Sequence, residues 1–223
     1  MNDWDRYWLK KDKKDGIVSM LYDRVAFFYR KYIIIQILNF FLDKNYGANS
    51  LLLHAGCGNG DVDAGAARKF KILSLDTSLI ALKTNSSSDM LVQGDIFHVP
   101  IKENSLDGIY NLGLMEHFTE NEIIEVLKKF DQVLKKDGKI ILFWPSEFSL
   151  SVLSLKMVHF MINRIFRMDI KLHPDEITRI KSYSHMKFFS EKTNLKITDY
   201  YFGLRDLFTY VVVTLKKRPV HAD

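Results

Sequence analysis

Three glycines lie within five positions directly after an apolar run, in the segment LLLHAGCGNGD at residues 51–61. Glycine at Gly56, Gly58 and Gly60 leaves no Cβ between the backbone and a ligand. A dinucleotide-binding loop would place a third glycine at residue 61 or 63, where this chain has aspartate, and the Gly-Lys-Ser/Thr ending of a Walker loop is absent too. The segment therefore predicts a ligand-binding loop and disfavours phosphate-bearing cofactors.

Two aspartates follow the next two predicted strands, Asp76 in LSLDTS and Asp95 in VQGDI. A carboxylate at the first position can accept hydrogen bonds from both hydroxyls of a ribose. A carboxylate at the second can accept from an exocyclic amine such as that of adenine. An aspartate after a strand is ordinarily a turn residue. A glycine loop and two acidic strand ends in succession instead predict a site for an adenosine-like group.

A third polar pair, Glu116 and His117 in GLMEHF, follows the fourth predicted strand. The ordinary pKa of histidine lies near neutrality, so His117 is the candidate general base. The alternative is that His117 packs at the start of the next helix, and Glu116 is expected to be structural or on the cofactor side. No metal is expected, because four further histidines lack the spacing of a metal site: His98, His159, His173 and His185.

The elements that position these residues alternate along the chain from residue 50 onward. This alternation predicts an α/β fold, a doubly wound and mostly parallel sheet of seven strands with helices on both faces. Only the short link that begins with GLRD joins the last two strands, so these should be antiparallel neighbours. Strands are predicted at 50–56, 71–76, 90–95, 106–113, 139–145, 196–202 and 208–215, and helices at 61–70, 79–85 and 119–138.

The clearest helix is the one predicted at 119–138. Thr119 and Glu122 have the spacing of a capping box at its start. Gly138 stands where a helix C-cap belongs. An apolar stripe with helical spacing predicts one buried face: Ile123, Leu127, Phe130 and Leu134.

The chain is expected to be a single domain over 1–223. It divides into an N-terminal helical lid at 1–49, a cofactor-binding core at 50–147, a helical cap insertion at 148–187 between strands five and six, and a closing strand pair at 188–217. The lid is rich in aromatic residues and the insertion in apolar ones. Both are expected to roof the acceptor pocket, by packing on the core. A second hypothesis places 150–168 on a membrane surface as an amphipathic basic helix.

Composition and charge limit the function classes. The 223 residues are 47% apolar and 26% charged, as in a folded globular protein. The charged N-terminus does not resemble a signal peptide, and the longest apolar run, 32–42, is too short to span a bilayer. With a single cysteine, these features predict a cytoplasmic location. The net charge of +5 comes from dispersed lysine doublets, so no nucleic-acid partner is expected.

The motifs together resemble the class I S-adenosylmethionine-dependent methyltransferases, particularly the small-molecule group of methyltransferase type 11. LLLHAGCGNG is similar to the first motif of that family and LSLDTS to the second. VQGDIFHVPIKENSLDGIYNLGLMEHF resembles the stretch from the adenine-binding aspartate to the loop after strand four. VLKKFDQVLKKDGKIILFWP looks like the helix and strand that follow. The resemblance covers residues 50–146 and, more loosely, 188–217.

The resemblance implies S-adenosylmethionine as cofactor, with S-adenosylhomocysteine as product. In the N-terminal segment, LYDRVAFFYR resembles a lid helix, which implies that Tyr22 closes over the cofactor and that Arg30 meets its carboxylate. The implied contacts in the core are Gly56, Cys57, Gly58 and Gly60 around the methionine part, Asp76 and Thr77 at the ribose, Asp95 and Ile96 at the adenine, and Asn111 and Gly113 near the sulfonium.

His54 departs from the family pattern, which usually has an acidic residue at the end of strand one. That acidic group commonly helps to orient the methionine end. A neutral His54 could accept a hydrogen bond there instead, whereas a cation would repel the positive groups of the cofactor. His54 is therefore predicted to touch the cofactor and to affect its affinity.

The predicted reaction is direct, in-line transfer of the methyl group to an oxygen or nitrogen of a small molecule, such as a sugar or lipid precursor. An RNA methyltransferase is the first alternative, but the segment NLGLME lacks the Asn/Asp-Pro-Pro-Tyr type of motif used on base amines. A sensor or scaffold that binds the cofactor without methylating is the second. Monomer and homodimer both stay open.

Overall fold

The computed structural model describes residues 3–11, 24, 27–147 and 176–219 of the chain. Seven strands form one sheet: β1 Leu51–Ala55, β2 Lys71–Asp76, β3 Met90–Gln93, β4 Leu106–Leu112, β5 Leu134–Pro145, β6 Leu195–Tyr201 and β7 Tyr210–Lys217. The α-helices are α1 Asp3–Lys11, α2 Ile35–Asn45, α3 Leu79–Thr84, α4 Glu120–Val133 and α5 Tyr183–Glu191. A π-helical turn, Arg30–Ile34, precedes α2, and 3₁₀ turns span Ala66–Arg68, Ile96–His98, Met115–His117 and Leu204–Asp206.

The strand order is β3-β2-β1-β4-β5-β7-β6. The first five strands pair in parallel, and β7 is antiparallel to both β5 and β6. The predicted doubly wound sheet with an antiparallel last strand is thereby confirmed. The order reverses between β1 and β4, which is the point where ligands bind in open α/β sheets.

Helices bury apolar stripes on the two opposite faces of the sheet. On one face α4 contributes Ile123, Leu127 and Phe130 to a core that also includes Leu106 and Ile109 of β4. On the other face α2 packs Leu38 and Phe41 against the sheet. Because β1 and β4 are covered on both faces, a ligand can reach them only at the strand ends.

Helix α4 begins as predicted but ends early. The Thr119 hydroxyl caps the backbone amide of Glu122, and the Glu122 carboxylate accepts from the amide of Thr119, which completes the capping box. The helix ends at Val133, however, and the predicted C-cap at Gly138 is wrong. Leu134 pairs with Leu106 of β4, so the chain has already entered β5 before Gly138 is reached.

The helix predicted at 61–70 is also wrong, since only the single 3₁₀ turn at Ala66–Arg68 forms. Asp63 has its amide bonded to the Gly60 carbonyl and its side chain fully buried. Because Asp63 is turned inward and Gly65 is a poor helix former, too few residues are left before β2 for a regular helix.

Several predictions fall outside the described residues. Tyr22 and most of the cap insertion, including 150–168, lie there, so the lid contact and the membrane-surface hypothesis stay predictions. Within the parts of the chain that the structure describes, no helix combines the length and apolar character needed to cross a bilayer.

Candidate active site

A cavity of about 540 Å³ opens at the carboxyl ends of β1, β2, β3 and β4. Its volume lies within the range of roughly 300–1,000 Å³ that is usual for small-molecule sites. The walls come from the glycine loop after β1, the ends of β2 and β3, the turn after β4, helix α1 and the segment around Tyr210. The cavity therefore occupies the position that strand order alone predicts for a ligand.

The glycine loop folds back onto the end of β2. The amides of Gly56 and Cys57 both donate to the carbonyl of Leu75, at 2.8 and 3.1 Å. Gly58 has a φ of +54°, and a Cβ there would lie 2.7 Å from the Trp8 ring. Only glycine combines this left-handed backbone with so close an approach. The loop is thus shaped by the fold before any ligand binds.

Asp76, at the end of β2, organises the same loop. Its Oδ2 accepts from the amide of Gly58 at 2.8 Å, and its Oδ1 accepts from the amide of Ser78, also at 2.8 Å. Burial raises the pKa of this carboxyl, although the two amide bonds oppose the shift. Each carboxylate oxygen has a second lone pair, so Asp76 can still accept from a hydroxyl of a ligand in the cavity.

His54 belongs to a buried three-residue network that was not predicted. Its Nδ1 lies 2.7 Å from Oδ2 of Asp63, and the Tyr110 hydroxyl donates to Oδ1 of Asp63 at 2.7 Å. The rings of His54 and Tyr110 stack with centroids 4.5 Å apart. A carboxylate can only accept, so the His54 proton lies on Nδ1. This chain has His54 at the end of β1, where the family pattern has an acidic residue. The acidic side chain that contacts this position is that of Asp63.

Cys57 lines the cavity as a neutral thiol. Its side chain is 6% exposed. Burial raises the pKa of the thiol, and the nearby carboxylates of Asp76 and Asp63 raise it further. A protonated thiol is a poor nucleophile. Cys57 therefore contributes shape rather than reactivity.

Asp95 and Ile96 form the far wall of the cavity, at the end of β3. Asp95 caps the 3₁₀ turn that follows, since its Oδ1 accepts from the amide of Phe97 at 3.0 Å. His98 lies 3.3 Å from its other oxygen in a highly exposed pair. Ile96 is buried beside it. The cap holds the Asp95 carboxylate at the cavity rim and leaves lone pairs for a ligand.

Helix α1 closes the cavity with an aromatic face. Trp4, Tyr7 and Trp8 have the spacing of neighbours on one side of a helix, and all three line the cavity. The helix is attached to α3, because the Ser78 hydroxyl donates to the Asp5 carboxylate at 2.7 Å. The described part of the N-terminal segment thus supplies one wall of the cavity.

The π-helical turn before α2 supplies a cation. Arg30 lines the cavity and lies 3.8 Å from Asp61, with both side chains about half exposed. The preceding residue, Tyr29, bonds through its hydroxyl to Thr209 and to the carbonyl of Asp206. These bonds tie the turn to the start of β7 and hold Arg30 at the cavity rim.

The turn after β4 carries the polar pair that the sequence singled out. Glu116 is 5% exposed, and burial raises its pKa to about 8. His117 lines the cavity next to it, with its ring edge against Trp4 at a centroid distance of 5.0 Å. A Cβ at Gly113, which has a φ of +66°, would lie 3.0 Å from Oε1 of Glu116. The side chains of Glu116 and His117 therefore lie together on the cavity wall nearest to β4.

Most of the predicted site residues meet at this cavity. Two do not line it. Gly60 packs against Asn85, and Asn111 is fully buried within β4. Those that line it are Arg30, His54, Gly56, Cys57, Gly58, Asp76, Thr77, Asp95, Ile96, Gly113 and His117. Their contacts with the cofactor stay predictions, because the structure locates them without testing that role.

Sequence reasoning missed several residues of the site. Asp63 was read only as the residue that breaks a glycine motif, and its burial is a tertiary effect. Tyr29, Glu176 and Tyr210 line the cavity from segments far apart in the chain. The helical spacing of Trp4, Tyr7 and Trp8 was the one signal in the sequence that could have identified a wall.

The charge of the cavity suits a cationic ligand. Among the described residues, one arginine lines it, together with four acidic side chains besides Glu116, whose pKa burial raises to about 8: Asp61, Asp76, Asp95 and Glu176. Such a wall favours the sulfonium and ammonium groups of S-adenosylmethionine and disfavours a phosphate. Over the same residues, no group of three or more His, Cys, Asp or Glu side chains is arranged to hold a metal ion.

Comparison with known proteins agrees with the fold and the motifs. Residues 53–142 match the model of a methyltransferase domain family. A protein of Encephalitozoon cuniculi whose name describes it as a methyltransferase is 31% identical over 113 residues, which cover 48% of this chain. A protein of Methanocaldococcus jannaschii is 28% identical over 140 residues, or 62% of this chain. These matches span only 50% and 59% of the two relatives, respectively.

Solved structures share the fold at low identity. Magnesium protoporphyrin IX methyltransferase from Synechocystis, with S-adenosylhomocysteine bound, superposes with a TM-score of 0.66. It is 13% identical, and the match covers 97% of this chain and 96% of that one. A TehB-like S-adenosylmethionine-dependent methyltransferase from Corynebacterium glutamicum has a TM-score of 0.56 at 17% identity, over 79% of this chain and 85% of that one.

Proposed function

We propose that this chain, which carries a class I S-adenosylmethionine-dependent methyltransferase domain, methylates an oxygen or nitrogen of a small-molecule acceptor. The observation that carries the proposal is the cavity itself. The glycine loop, the acidic ends of β2 and β3 and an aromatic helix line one continuous space at the reversal point of the sheet. When bound, the cofactor supplies a methyl group activated by a positively charged sulfur.

The residues that would hold the cofactor follow from the donors and acceptors present. Asp76 would accept from the ribose hydroxyls, and Asp95 from an amine on the adenine. Gly56 and Gly58 would let the methionine part lie against bare backbone, and Arg30 would meet its carboxylate. His54 would face the same end through the ring edge that Asp63 does not occupy. Each assignment uses a group that lines the cavity.

The chain would accelerate the reaction mainly by holding the acceptor in line with the reacting bond. Such alignment contributes up to about 7–11 kcal/mol in ideal cases. The wall formed by Trp4, Tyr7 and Trp8 excludes water and offers apolar surface, which favours an acceptor with an apolar part. A sugar or lipid precursor of that kind is the proposed class. Glu116 and His117 lie at the same wall and are the candidate proton acceptors.

The test is calorimetric titration of the purified protein with S-adenosylmethionine and S-adenosylhomocysteine. We expect micromolar binding by the wild type and its loss in Asp76→Ala, whose folding is checked by thermal unfolding. Asp89→Ala is the matched control, because Asp89 is an exposed carboxylate outside the cavity. Absence of wild-type binding to either compound would contradict the proposal.

The acceptor is then sought by measuring the formation of S-adenosylhomocysteine with fractionated metabolite pools. Total RNA is included as a separate arm, since RNA is the alternative acceptor. Turnover with a small-molecule fraction and none with RNA supports the proposal. Binding without turnover in every arm would favour the non-catalytic sensor or scaffold.

A further inference from the structure

One oxygen of a buried carboxyl group on the cavity wall lacks a hydrogen-bond partner. Glu116 is 5% exposed, and its Oε2 accepts from no donor among the residues that the structure describes. The other buried carboxylates near the cavity differ. Asp63 and Asp76 each use both oxygens as acceptors. Native proteins leave few buried polar atoms unpartnered, so an unpartnered carboxyl oxygen that faces a cavity is a candidate for a ligand contact or a chemical role.

The position of Glu116 is set by main-chain bonds. Its carbonyl accepts from the amides of Ile177 and Thr178, at 2.6 and 3.0 Å. The Trp144 indole in turn donates to the carbonyl of Thr178 at 2.9 Å. These main-chain bonds hold the carboxyl group at the cavity, and they leave Oε2 without a partner. A Glu116→Gln variant keeps all of these contacts.

The surroundings of Glu116 bring the pKa of its carboxyl group close to neutral pH. Burial raises its pKa to about 8, the neighbouring Glu176 adds to the rise and Arg179 opposes it. From β7, the Tyr210 phenol faces the carboxyl and has its own pKa raised by burial and by Glu116. His117 follows on the same turn and lines the cavity. A general acid or base works best with a pKa close to the working pH.

We infer that Glu116 receives the proton that the acceptor loses during methyl transfer, an inference that rests on the proposed function. The acceptor oxygen or nitrogen forms a bond to the methyl carbon, and the electron pair of the broken S–CH3 bond stays on sulfur. The proton of the acceptor O–H or N–H passes to Oε2 of Glu116. The positive charge on sulfur and the negative charge on the carboxylate disappear together, so the step is balanced.

The charge of the ligand sets the direction of this proton transfer. A positive charge in the cavity favours the ionised carboxylate, because an opposite charge within about 4–6 Å lowers a carboxyl pKa by roughly 1–3 units. S-adenosylhomocysteine has a neutral sulfur and lacks this effect. Glu116 is therefore ionised before the reaction, when it must accept a proton, and protonated after it.

The experiment measures protons released on binding, by calorimetry in buffers with different ionisation enthalpies at pH 7. A fall in the Glu116 pKa from about 8 to about 6 would release about 0.8 proton more with S-adenosylmethionine than with S-adenosylhomocysteine. We expect this difference in the wild type and its loss in Glu116→Gln. His117→Gln and the exposed control Glu125→Gln should retain it.

Equal proton release with the two compounds, or a difference that survives in Glu116→Gln, would overturn the inference while leaving cofactor binding intact. Loss of the difference in His117→Gln alone would assign the proton to His117 instead. Failure of both compounds to bind the wild type would remove the proposed function and the inference together. If Glu116→Gln does not fold, infrared difference spectra of the wild type decide. The complex with S-adenosylmethionine must lack a protonated-carboxyl band that the complex with S-adenosylhomocysteine shows.

Discussion

The two sides of the cavity differ in how their polar groups are satisfied. On the glycine-loop side, Asp76 and Asp63 each accept two hydrogen bonds, and the loop amides are bonded to the end of β2. On the β4 side, Oε2 of Glu116 has no hydrogen-bond partner among the described residues. The carboxylates on the glycine-loop side therefore have hydrogen-bond partners without a ligand, whereas Glu116 on the β4 side has an oxygen without one.

This difference separates two kinds of task. A complete hydrogen-bond network holds its groups in one geometry, which suits a cofactor that binds in the same way at every turnover. A buried carboxyl group without a hydrogen-bond partner has a shifted pKa and can gain or lose a proton near neutral pH. That property suits the side of the cavity where the proposed reaction takes place. Variants on the first side should therefore reduce stability and cofactor affinity, and variants on the second should change the dependence on pH.

The largest effect is expected from Asp63→Ala on the glycine-loop side. The change leaves the buried His54 and Tyr110 without their shared partner, and breaking such a buried set costs about 3–5 kcal/mol. For a protein of this size the midpoint of thermal unfolding should fall by about 6–20 °C. Asp61→Ala, two residues away and half exposed, is the control and should shift stability by less than about 0.5 kcal/mol. Similar midpoints for the two variants would show that the buried network is not a stabilising feature.

A smaller effect, on affinity, is expected from Gly58→Ala. The new Cβ would lie 2.7 Å from the Trp8 ring on a backbone with a φ of +54°. Either the loop or helix α1 must move, and S-adenosylmethionine should bind about tenfold to a hundredfold more weakly, a loss of about 1.4–2.8 kcal/mol. Gly47→Ala is the matched control, because a Cβ there meets no atom within 4 Å. Calorimetric titration that finds equal affinity in the two variants would mean that the loop is not shaped for the cofactor.

On the other side, Glu116→Gln should change how stability depends on pH. Folding raises the Glu116 pKa from its ordinary value of 4.5 to about 8, so the folded state binds a proton that the unfolded state loses. The stabilisation from this proton is fully present below about pH 4.5 and is lost as the pH rises through 8. Relative to the variant, the wild type should lose about 1.4 kcal/mol per pH unit within that window. Urea unfolding at several pH values measures the difference, and parallel curves for the two proteins would contradict it.

The smallest effect is expected from Arg30→Ala. Its pair with Asp61 is 3.8 Å long and exposed, so stability should change by no more than about 1 kcal/mol. If Arg30 meets the cofactor carboxylate, S-adenosylmethionine should bind about threefold to tenfold more weakly, a loss of no more than about 1.4 kcal/mol. Arg68→Ala, an exposed arginine outside the cavity, should leave the affinity unchanged. Equal affinities for the two variants would remove Arg30 from the cofactor site.

The sheet type, the antiparallel pairing of the last two strands and the place of the glycine loop were predictable because each depends on residues close together in the chain. A strand followed by glycines, and two further strands ending in Asp76 and Asp95, form a local pattern that repeats with the βα unit. Parallel strands bring their carboxyl ends to one edge, so the local pattern already implies a common site. The capping box at Thr119 and Glu122 was predictable for the same reason, since both partners lie within one turn.

The helix at 61–70 and the cap at Gly138 were mispredicted because tertiary contacts overrode local preference. Asp63 turns inward to bond His54 and Tyr110, which lie 9 and 47 positions away in the chain. Leu134 leaves the helix to pair with Leu106 of β4. A local pattern contains no information on such partners, and tertiary contacts routinely override helix propensity.

The sequence by itself determined the sheet type and the place of the glycine loop, because strand periodicity and glycine and aspartate positions act over a few residues. The class of ligand stays a prediction from the same motifs. Only the tertiary structure decided which groups complete the site. Asp63 supplies the carboxylate that contacts His54. Glu116 is the cavity residue with a buried carboxyl oxygen that has no partner among the described residues. Burial and the absence of a partner depend on every segment packed around a side chain, from α1 to β7. That is why they are properties of the fold and not of any motif.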